Sequence, residues 1–196
     1  MGVALNIYLN HKKSQEELWS IVEKIPKDVE LNNLLQELYS YEERIGGPPI
    51  GGYEKWEMED FENYEEFILC LEEYLAVLWN SVFNIKIGRK GLEIGHWTKL
   101  RYFTENKEIQ NIFKKIVCLL GRIFNSEEVI YGADSAYRTE MIGIKIIEGE
   151  DFESIKKWLQ DNGVRKANSI AEITRKVDDK YYESDGYYWQ KLECNN

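Results

Sequence analysis

Apolar and polar residues alternate at the start of the chain. Residues 3–9 place valine, leucine and isoleucine at every second position, which is the spacing of one face of a β-strand. Ser14 and Glu17 then have the spacing of a capping box, which predicts a helix start. Pro26 predicts the end of that helix. The chain is therefore expected to begin with a strand followed by a short helix.

Four further segments repeat their apolar residues every three or four positions, as amphipathic helices do. They cover residues 31–41, 60–82, 105–124 and 152–160. The segment 60–82 is the longest, and most of its acidic residues lie before the apolar stripe or opposite to it. The sequence therefore predicts several helices that each bury one face.

Shorter apolar segments predict strands between these helices. Glycines bound the turn at residues 88–91, so the flanking segments 85–87 and 92–94 predict a hairpin. The pair Asp185-Gly186 lies between two aromatic segments and predicts a second hairpin. Further strands are predicted at residues 96–103, 129–131, 141–147 and 170–177.

Strands and helices are mixed along the chain without strict strand–helix alternation. This mixture favours an α+β fold in which a single, mostly antiparallel sheet packs against three or four amphipathic helices. The length suits a single globular domain covering residues 1–196. The clearest interruption is the glycine- and proline-rich segment 46–52, which cannot continue a helix or a strand. A hinge, a mobile loop and a plain turn remain open alternatives for it.

Composition and cysteine usage indicate a folded protein of a reducing compartment. Hydrophobic residues make up 43% of the chain and aromatic residues 13%, which excludes a disordered protein. Cys70, Cys118 and Cys194 are far apart and form no C-x-x-C pair, so the cysteine usage fits a reducing compartment. The N-terminus lacks the charge-then-apolar order of a signal peptide, and no apolar run approaches the ~20 residues of a membrane span. We therefore expect a cytoplasmic protein without membrane contact.

Motifs for cofactor chemistry are absent from the sequence. The two histidines, His11 and His96, have no metal-ligand spacing to each other or to a cysteine, so no metal site is predicted. No nucleotide-binding or serine-hydrolase pattern occurs, so no cofactor is expected. One enzymatic alternative stays open, a hydrolase or transferase site assembled from scattered carboxylates, His96 and an arginine such as Arg101 or Arg138.

Charge is distributed unevenly along the chain, whose net charge is −10. Nine acidic residues between positions 54 and 73 face a single base, Lys55. A dense acidic surface complements a basic partner and speeds its approach. Tyr187 and Trp189 near the C-terminus are candidate anchors for that partner, because Tyr and Trp are enriched at interface hot spots. The acidic contact candidates are Glu57, Glu59, Asp60, Glu62, Glu65 and Glu66.

These features favour a non-catalytic, acidic protein that binds a protein partner. The chain is small, acidic and rich in aromatic residues, and in this general character it is similar to bacterial immunity proteins. No family motif accompanies this character, but an inhibitor of the immunity or antitoxin kind needs no catalytic group, which fits the absence of catalytic motifs. Its partner would be a basic toxin such as a nuclease, whose phosphate-binding cleft it would occlude. Self-association as a homodimer remains an alternative.

A basic stretch supports the remaining alternative, a module that binds a small ligand or nucleic acid. Nine bases stand against three acids between residues 84 and 122. The turn Gly88–Gly91 carries two of these bases, and a G-x-x-G loop of this kind can clamp a nucleic-acid backbone. The net charge of −10 opposes the approach of phosphates and disfavours nucleic acid. The candidate contacts are Arg89, Lys90, Lys99 and Arg101.

Overall fold

One eight-stranded sheet forms the centre of the fold, and helices pack on both of its faces. The structure is a computed structural model that describes residues 4–45, 55–80, 83–133, 137–176, 182–183 and 186–194. The strands are β1 (Ala4–Asn10), β2 (Glu57–Glu59), β3 (Ala76–Asn80), β4 (Phe83–Ile87), β5 (Gly91–Lys99), β6 (Glu128–Ala133), β7 (Arg165–Lys166), β8 (Arg175–Lys176), β9 (Tyr182–Glu183) and β10 (Gly186–Lys191).

The order across the described sheet is β2-β3-β4-β5-β1-β6-β10-β7, and β8 pairs with β9 in a separate two-stranded ladder. All neighbours in the large sheet are antiparallel except β10 and β7, which run parallel. The α+β fold with a mostly antiparallel sheet is therefore confirmed.

The described part of the chain contains seven α-helices, namely α1 (Gln15–Val22), α2 (Val29–Arg44), α3 (Tyr64–Glu73), α4 (Leu100–Glu105), α5 (Lys107–Phe124), α6 (Tyr137–Ile147) and α7 (Phe152–Asp161). The predicted capping box at the start of α1 is confirmed. Ser14 N donates to the Glu17 carboxylate at 2.8 Å, and Glu17 N donates to Ser14 Oγ at 3.3 Å.

Two buried clusters lie on opposite faces of the sheet. Leu5, Ile7 and Leu9 of β1 point into the first cluster, which also contains the buried residues of α1 to α5. Tyr8 points the other way and joins the second cluster with the buried residues of α6 and α7. Alternate side chains of a strand point to opposite faces, so β1 supplies both clusters.

Four predicted elements differ from the structure over part or all of their length. The helix predicted over residues 60–82 ends at Glu73, and residues 76–80 form β3. An apolar run fits a buried strand as well as a buried helix, and β3 is decided by its pairing with β2 and β4. Residues 141–147 belong to helix α6 instead of a strand. Residues 96–103 change from β5 to α4 at Leu100. Within the described part of the predicted strand 170–177, Ile170–Glu172 forms a 3-10 helix and only Arg175–Lys176 is a strand, β8.

The two predicted hairpins have different outcomes. The one around Gly88–Gly91 is confirmed, because β4 and β5 are antiparallel neighbours and Gly88 N donates to Gly91 O at 2.8 Å. The one around Asp185-Gly186 is wrong, because β10 pairs with β6 and β7 while β9 pairs with β8. The segment 46–52 lies outside the described residues, so its alternatives stay open.

Cys118 of α5 and Cys194 form a disulfide, with Cα atoms 5.4 Å apart, and Cys70 is free. The two partners are 76 residues apart in the sequence. A stable disulfide is typical of oxidising compartments, so the cysteines no longer support a reducing one. Within the described residues, no helix combines the length and the apolar character that a membrane crossing requires.

Candidate partner-binding surface

The acidic residues of the charge pattern come together at one edge of the sheet. They lie on β2, on the loop that follows it and on α3, and all of them are exposed. We call this set the acidic edge. Its members are Glu57, Glu59, Asp60, Glu62, Glu65, Glu66, Glu72 and Glu73.

Two aromatic side chains hold β2 in place from either side. Trp56 Nε1 donates to Asn32 Oδ1 of α2 at 2.9 Å, and the Trp56 ring packs edge-on against Phe83 at 6.3 Å. Phe61 is buried in the first cluster, with its ring centroid 5.5 Å from that of Phe67. The short strand between these anchors is therefore fixed, although all its own side chains are exposed.

Helix α3 presents its acids to solvent because its apolar side chains occupy the other side. Asn63 Oδ1 accepts a hydrogen bond from Glu66 N at 3.1 Å, which caps the helix start. Phe67 and Leu71 are four positions apart and fully buried. The Glu66 carboxylate accepts a hydrogen bond from Glu62 N at 2.7 Å, which ties the preceding loop to the helix.

A groove of about 490 Å³ runs beside the acidic edge. Leu69 of α3, Tyr74 just after this helix and Ile147 of α6 line the groove. Leu69 is 56% exposed and Tyr74 is 67% exposed. Glu59 and Glu73 also line the groove, so apolar and acidic side chains share one surface.

Next to the groove lies the face of β3 and β4 that points away from the first cluster, and Val77 on this face lines the groove. Val77 lies opposite Glu59 and Lys86, and Trp79 lies opposite Glu57. Both Val77 and Trp79 are half-buried, and in the described structure neither belongs to a buried cluster. An aromatic and an aliphatic side chain therefore continue the mixed surface across the sheet.

The acidic edge lacks the ion pairs that some carboxylates form elsewhere on the described surface. Glu93 lies 2.7 Å from Lys86, and Glu128 lies 2.9 Å from Lys156. No described basic side chain lies within ion-pair distance of any member of the acidic edge. The carboxylates of the acidic edge therefore form no ion pairs among the described residues, and Lys86, which lines the groove, pairs with Glu93.

Helix stability accounts for only part of the acidic edge. Glu65 and Glu66 lie in the first turn of α3, where the helix dipole favours negative charge. Glu72 and Glu73 lie at the opposite end, where the dipole disfavours it, and the last turn carries no base. The helix dipole therefore does not account for Glu72 and Glu73.

Tyr187 and Trp189 lie far across the sheet from the acidic edge, because four strands separate β10 from β3. Tyr187 is 1% exposed and packs in the second cluster. Trp189 Nε1 donates to Glu128 at 3.0 Å, and Lys156 lies over its ring at 4.2 Å. The structure does not bring these aromatic residues together with the acids, and their role as anchors stays a prediction.

The basic stretch is divided between the β4–β5 turn and the start of α4. Arg89 and Lys90 are exposed in the turn. The Arg89 guanidinium donates to the carbonyl oxygens of Ile147 and Glu148 at 3.5 and 3.3 Å, at the C-terminal end of α6. A cation at a helix C-terminus is stabilising, which gives Arg89 a structural role. The side chains of Lys99 and Arg101 lie outside the described part, so nucleic-acid binding stays a prediction.

His96 forms a buried polar pair with Glu42, with Nε2 3.6 Å from Oε2. Burial raises the pKa of Glu42 to about 7 and lowers the pKa of His96 to about 3. Between these values both groups are uncharged. The His96 ring lies 5.2 Å from that of Phe113, inside the first cluster and away from the groove lining.

The enzymatic alternative stays a prediction. It required His96 beside an arginine, but the side chains of Arg101 and Arg138 lie outside the described part of the chain. No three described His, Cys, Asp or Glu side chains are grouped so that they could hold a metal ion.

The groove was not predicted from the sequence. Leu69 and Tyr74 do not belong to the apolar stripe of the predicted helix, and a single long helix gives no reason to place them beside β3 or α6. The break between Glu73 and Ala76 turns the chain from α3 into the sheet and leaves the two side chains at the surface. No local turn signal marks that break.

Comparison with known proteins gives no family. No family model matches the chain, and no curated protein matches it. Among solved structures the chain is similar to the Pseudomonas aeruginosa T6SS protein PA0821, with 14% sequence identity and a TM-score of 0.32. The similarity covers 67% of this chain and 42% of that protein, so the chain spans less than half of that protein's length.

Proposed function

We propose that this protein is a non-catalytic inhibitor of the immunity or antitoxin kind, which binds a basic protein and occludes its working surface. The observation that carries the proposal is the acidic edge itself. Eight exposed carboxylates lie on one side of the molecule, without a described basic partner and beside exposed Leu69 and Tyr74.

The two kinds of side chain have separate tasks in such a complex. Uncompensated charge raises the rate at which an oppositely charged protein approaches, and it rejects acidic proteins. Apolar and aromatic side chains provide the area that is removed from water once the proteins touch. Leu69 and Tyr74 line the same groove as members of the acidic edge, so a basic protein attracted to these acids also meets the two apolar side chains.

A toxic nuclease is the partner class that this surface fits best. A nuclease binds phosphates, so its working cleft carries lysine and arginine side chains. A row of carboxylates on a fixed strand and helix presents negative charge to that cleft in place of phosphates. Occlusion of this kind requires no catalytic group in the inhibitor.

Purification of the tagged full chain from its native host at low salt tests the proposal. Wild type, Glu62→Lys/Glu66→Lys and the matched control Glu37→Lys/Glu43→Lys are processed in parallel, with circular dichroism to verify folding. Both variants change the net charge equally, but the control residues lie on α2 instead of the acidic edge.

We expect one basic protein to co-purify with wild type and with the control, and to be depleted at least tenfold with Glu62→Lys/Glu66→Lys. The purified partner should lose its activity when it is mixed with wild type. Equal recovery with all three proteins, or no stoichiometric basic protein with wild type, would contradict the proposal.

A further inference from the structure

β2 forms one margin of the sheet, because among the described residues it pairs only with β3. Glu57, Met58 and Glu59 are all exposed. The outer side of an edge strand presents backbone N–H and C=O groups that can pair with another chain. The acidic edge therefore includes backbone that can bind a strand, in addition to its carboxylates.

This edge is already ordered before a partner arrives. Trp56 on one side is bound to Asn32, and Phe61 on the other is buried in the first cluster. A surface that is fixed in its bound conformation loses less entropy on association. The short length of β2 is compensated by these two anchors.

We propose that the basic partner docks by adding a strand to β2, so that the sheet continues from this protein into the partner. The inference rests on the proposed function, because it assigns the binding mode of the same surface. Glu57 and Glu59 point to the face with Trp79 and Val77, and Met58 points to the other face. The docking segment therefore has the pattern basic–apolar–basic, with Lys or Arg beside each glutamate and an apolar residue beside Met58.

Charge also decides which strands are rejected. Two copies of β2 side by side would bring Glu57 and Glu59 against glutamates of the second copy. Like charges directly opposite each other on neighbouring strands are destabilising, so a second copy of this chain is not the occupant. Short, charged edge strands protect sheets from aggregation, and the charge that rejects acidic strands selects a basic one.

A synthetic peptide with the sequence Arg-Val-Lys-Val-Arg-Val-Lys serves as the probe against the full, isotope-labelled chain. One control peptide replaces every basic residue with Glu, and a second replaces the central Val with Pro, which disfavours strand pairing. Amide chemical shifts and hydrogen exchange of residues 57–59 are measured in wild type, Glu57→Lys/Glu59→Lys and Glu62→Lys/Glu66→Lys.

The basic peptide is expected to slow amide exchange within β2 at least tenfold, and neither control peptide should do so. Glu57→Lys/Glu59→Lys should weaken peptide binding about tenfold, because two attractive cross-strand pairs become repulsive. Glu62→Lys/Glu66→Lys should weaken it less. Absence of binding, equal binding of the proline peptide, or protection only outside β2 would overturn strand addition. Exchange protection of β2 that grows with protein concentration alone would assign the edge to a second copy and also overturn it.

The two proposals fail separately. If the co-purified partner depends on Glu62 and Glu66 but leaves the exchange of residues 57–59 unchanged in the complex, strand addition is wrong and the inhibitor function stands. If wild type retains no basic partner at all, the inhibitor function fails whatever the peptide does.

Discussion

Glu72 and Glu73 show at the scale of single residues how the acidic edge conflicts with local stability. Both side chains are exposed at the C-terminal end of α3, where the helix dipole disfavours negative charge. Residues kept at a binding surface against the stability of their own helix are typical of functional positions. The conflict can be measured directly.

Glu73→Lys should stabilise the protein and weaken its binding. The new cation lies in the last turn of α3, where it complements the dipole by about 0.3–1 kcal/mol at low salt. Glu65→Lys is the matched control, because it places the same change in the first turn, where it should destabilise by a similar amount. Urea unfolding at low salt measures both. A Glu73→Lys variant that is less stable than wild type would contradict the account of α3.

The Glu42–His96 pair predicts how stability depends on pH. In the folded protein the pKa of Glu42 is about 7, above its ordinary value of 4.5. The contribution of Glu42 to the free energy of unfolding is therefore present below pH 4.5 and is lost as pH rises to 7. The folded pKa of His96, about 3, lies below 6.5, so its contribution is lost as pH falls from 6.5 to 3. Between pH 4.5 and pH 6.5 the loss of the Glu42 contribution with rising pH is offset by the gain of the His96 contribution.

Glu42→Gln should therefore gain stability relative to wild type as pH rises. The amide of the Glu42→Gln variant stays neutral, whereas wild type must ionise a carboxyl inside the core. At 1.36 kcal/mol per pKa unit, the raised pKa of Glu42 limits the gain in the free energy of unfolding to about 3 kcal/mol. Urea unfolding of both proteins at pH 4.5 and pH 7 gives the difference. If the difference between the two proteins is the same at both pH values, the buried carboxyl does not titrate as stated.

At the scale of elements, the sequence predicted correctly those helices that are specified by interactions between neighbouring residues. The capping box at Ser14 and the apolar stripe of α5 specify their helices through neighbouring residues, and both were predicted correctly. Residues 76–80 and 141–147 were assigned to the wrong type of element, because a short apolar run suits either. Their type is decided by pairing and packing with distant segments, which a single sequence does not display.

The disulfide fastens the C-terminal segment to α5. Leu192 N donates to Glu127 O at 2.9 Å, and the Leu192 side chain occupies the space that a side chain at Gly121 would need. The bond between Cys118 and Cys194 adds a covalent link to this packing. Two cysteines so far apart in sequence gave no signal of their pairing.

Cys194→Ser should lower the free energy of unfolding by about 2–4 kcal/mol, because the unfolded chain gains conformational freedom. Cys70→Ser serves as the control, since Cys70 is free and only half-buried. Thermal unfolding with and without reductant provides the measurement. Reductant should destabilise wild type and Cys70→Ser but leave Cys194→Ser unchanged. An equal effect of reductant on all three proteins would contradict the disulfide.

At the scale of the whole molecule, the charge pattern predicted which acids are neighbours but not the surface around them. Spacing in sequence was sufficient for the acids, because β2 and α3 are consecutive elements. The groove combines α3, β3 and α6, which meet only in the folded protein. Tyr187, by contrast, is buried where β10 lies between β6 and β7, so its aromatic character alone did not indicate exposure.

The association rate between this protein and its co-purified basic partner tests the central claim most directly. It is measured by stopped flow from low salt to about 1 M, where the Debye length falls to about 3 Å. We predict a steep fall of the wild-type rate with salt. At low salt, Glu62→Lys/Glu66→Lys should associate at least tenfold more slowly than Glu37→Lys/Glu43→Lys, with a smaller change in dissociation. A rate that is insensitive to salt and equal in both variants would contradict the claim that the acidic edge receives the partner.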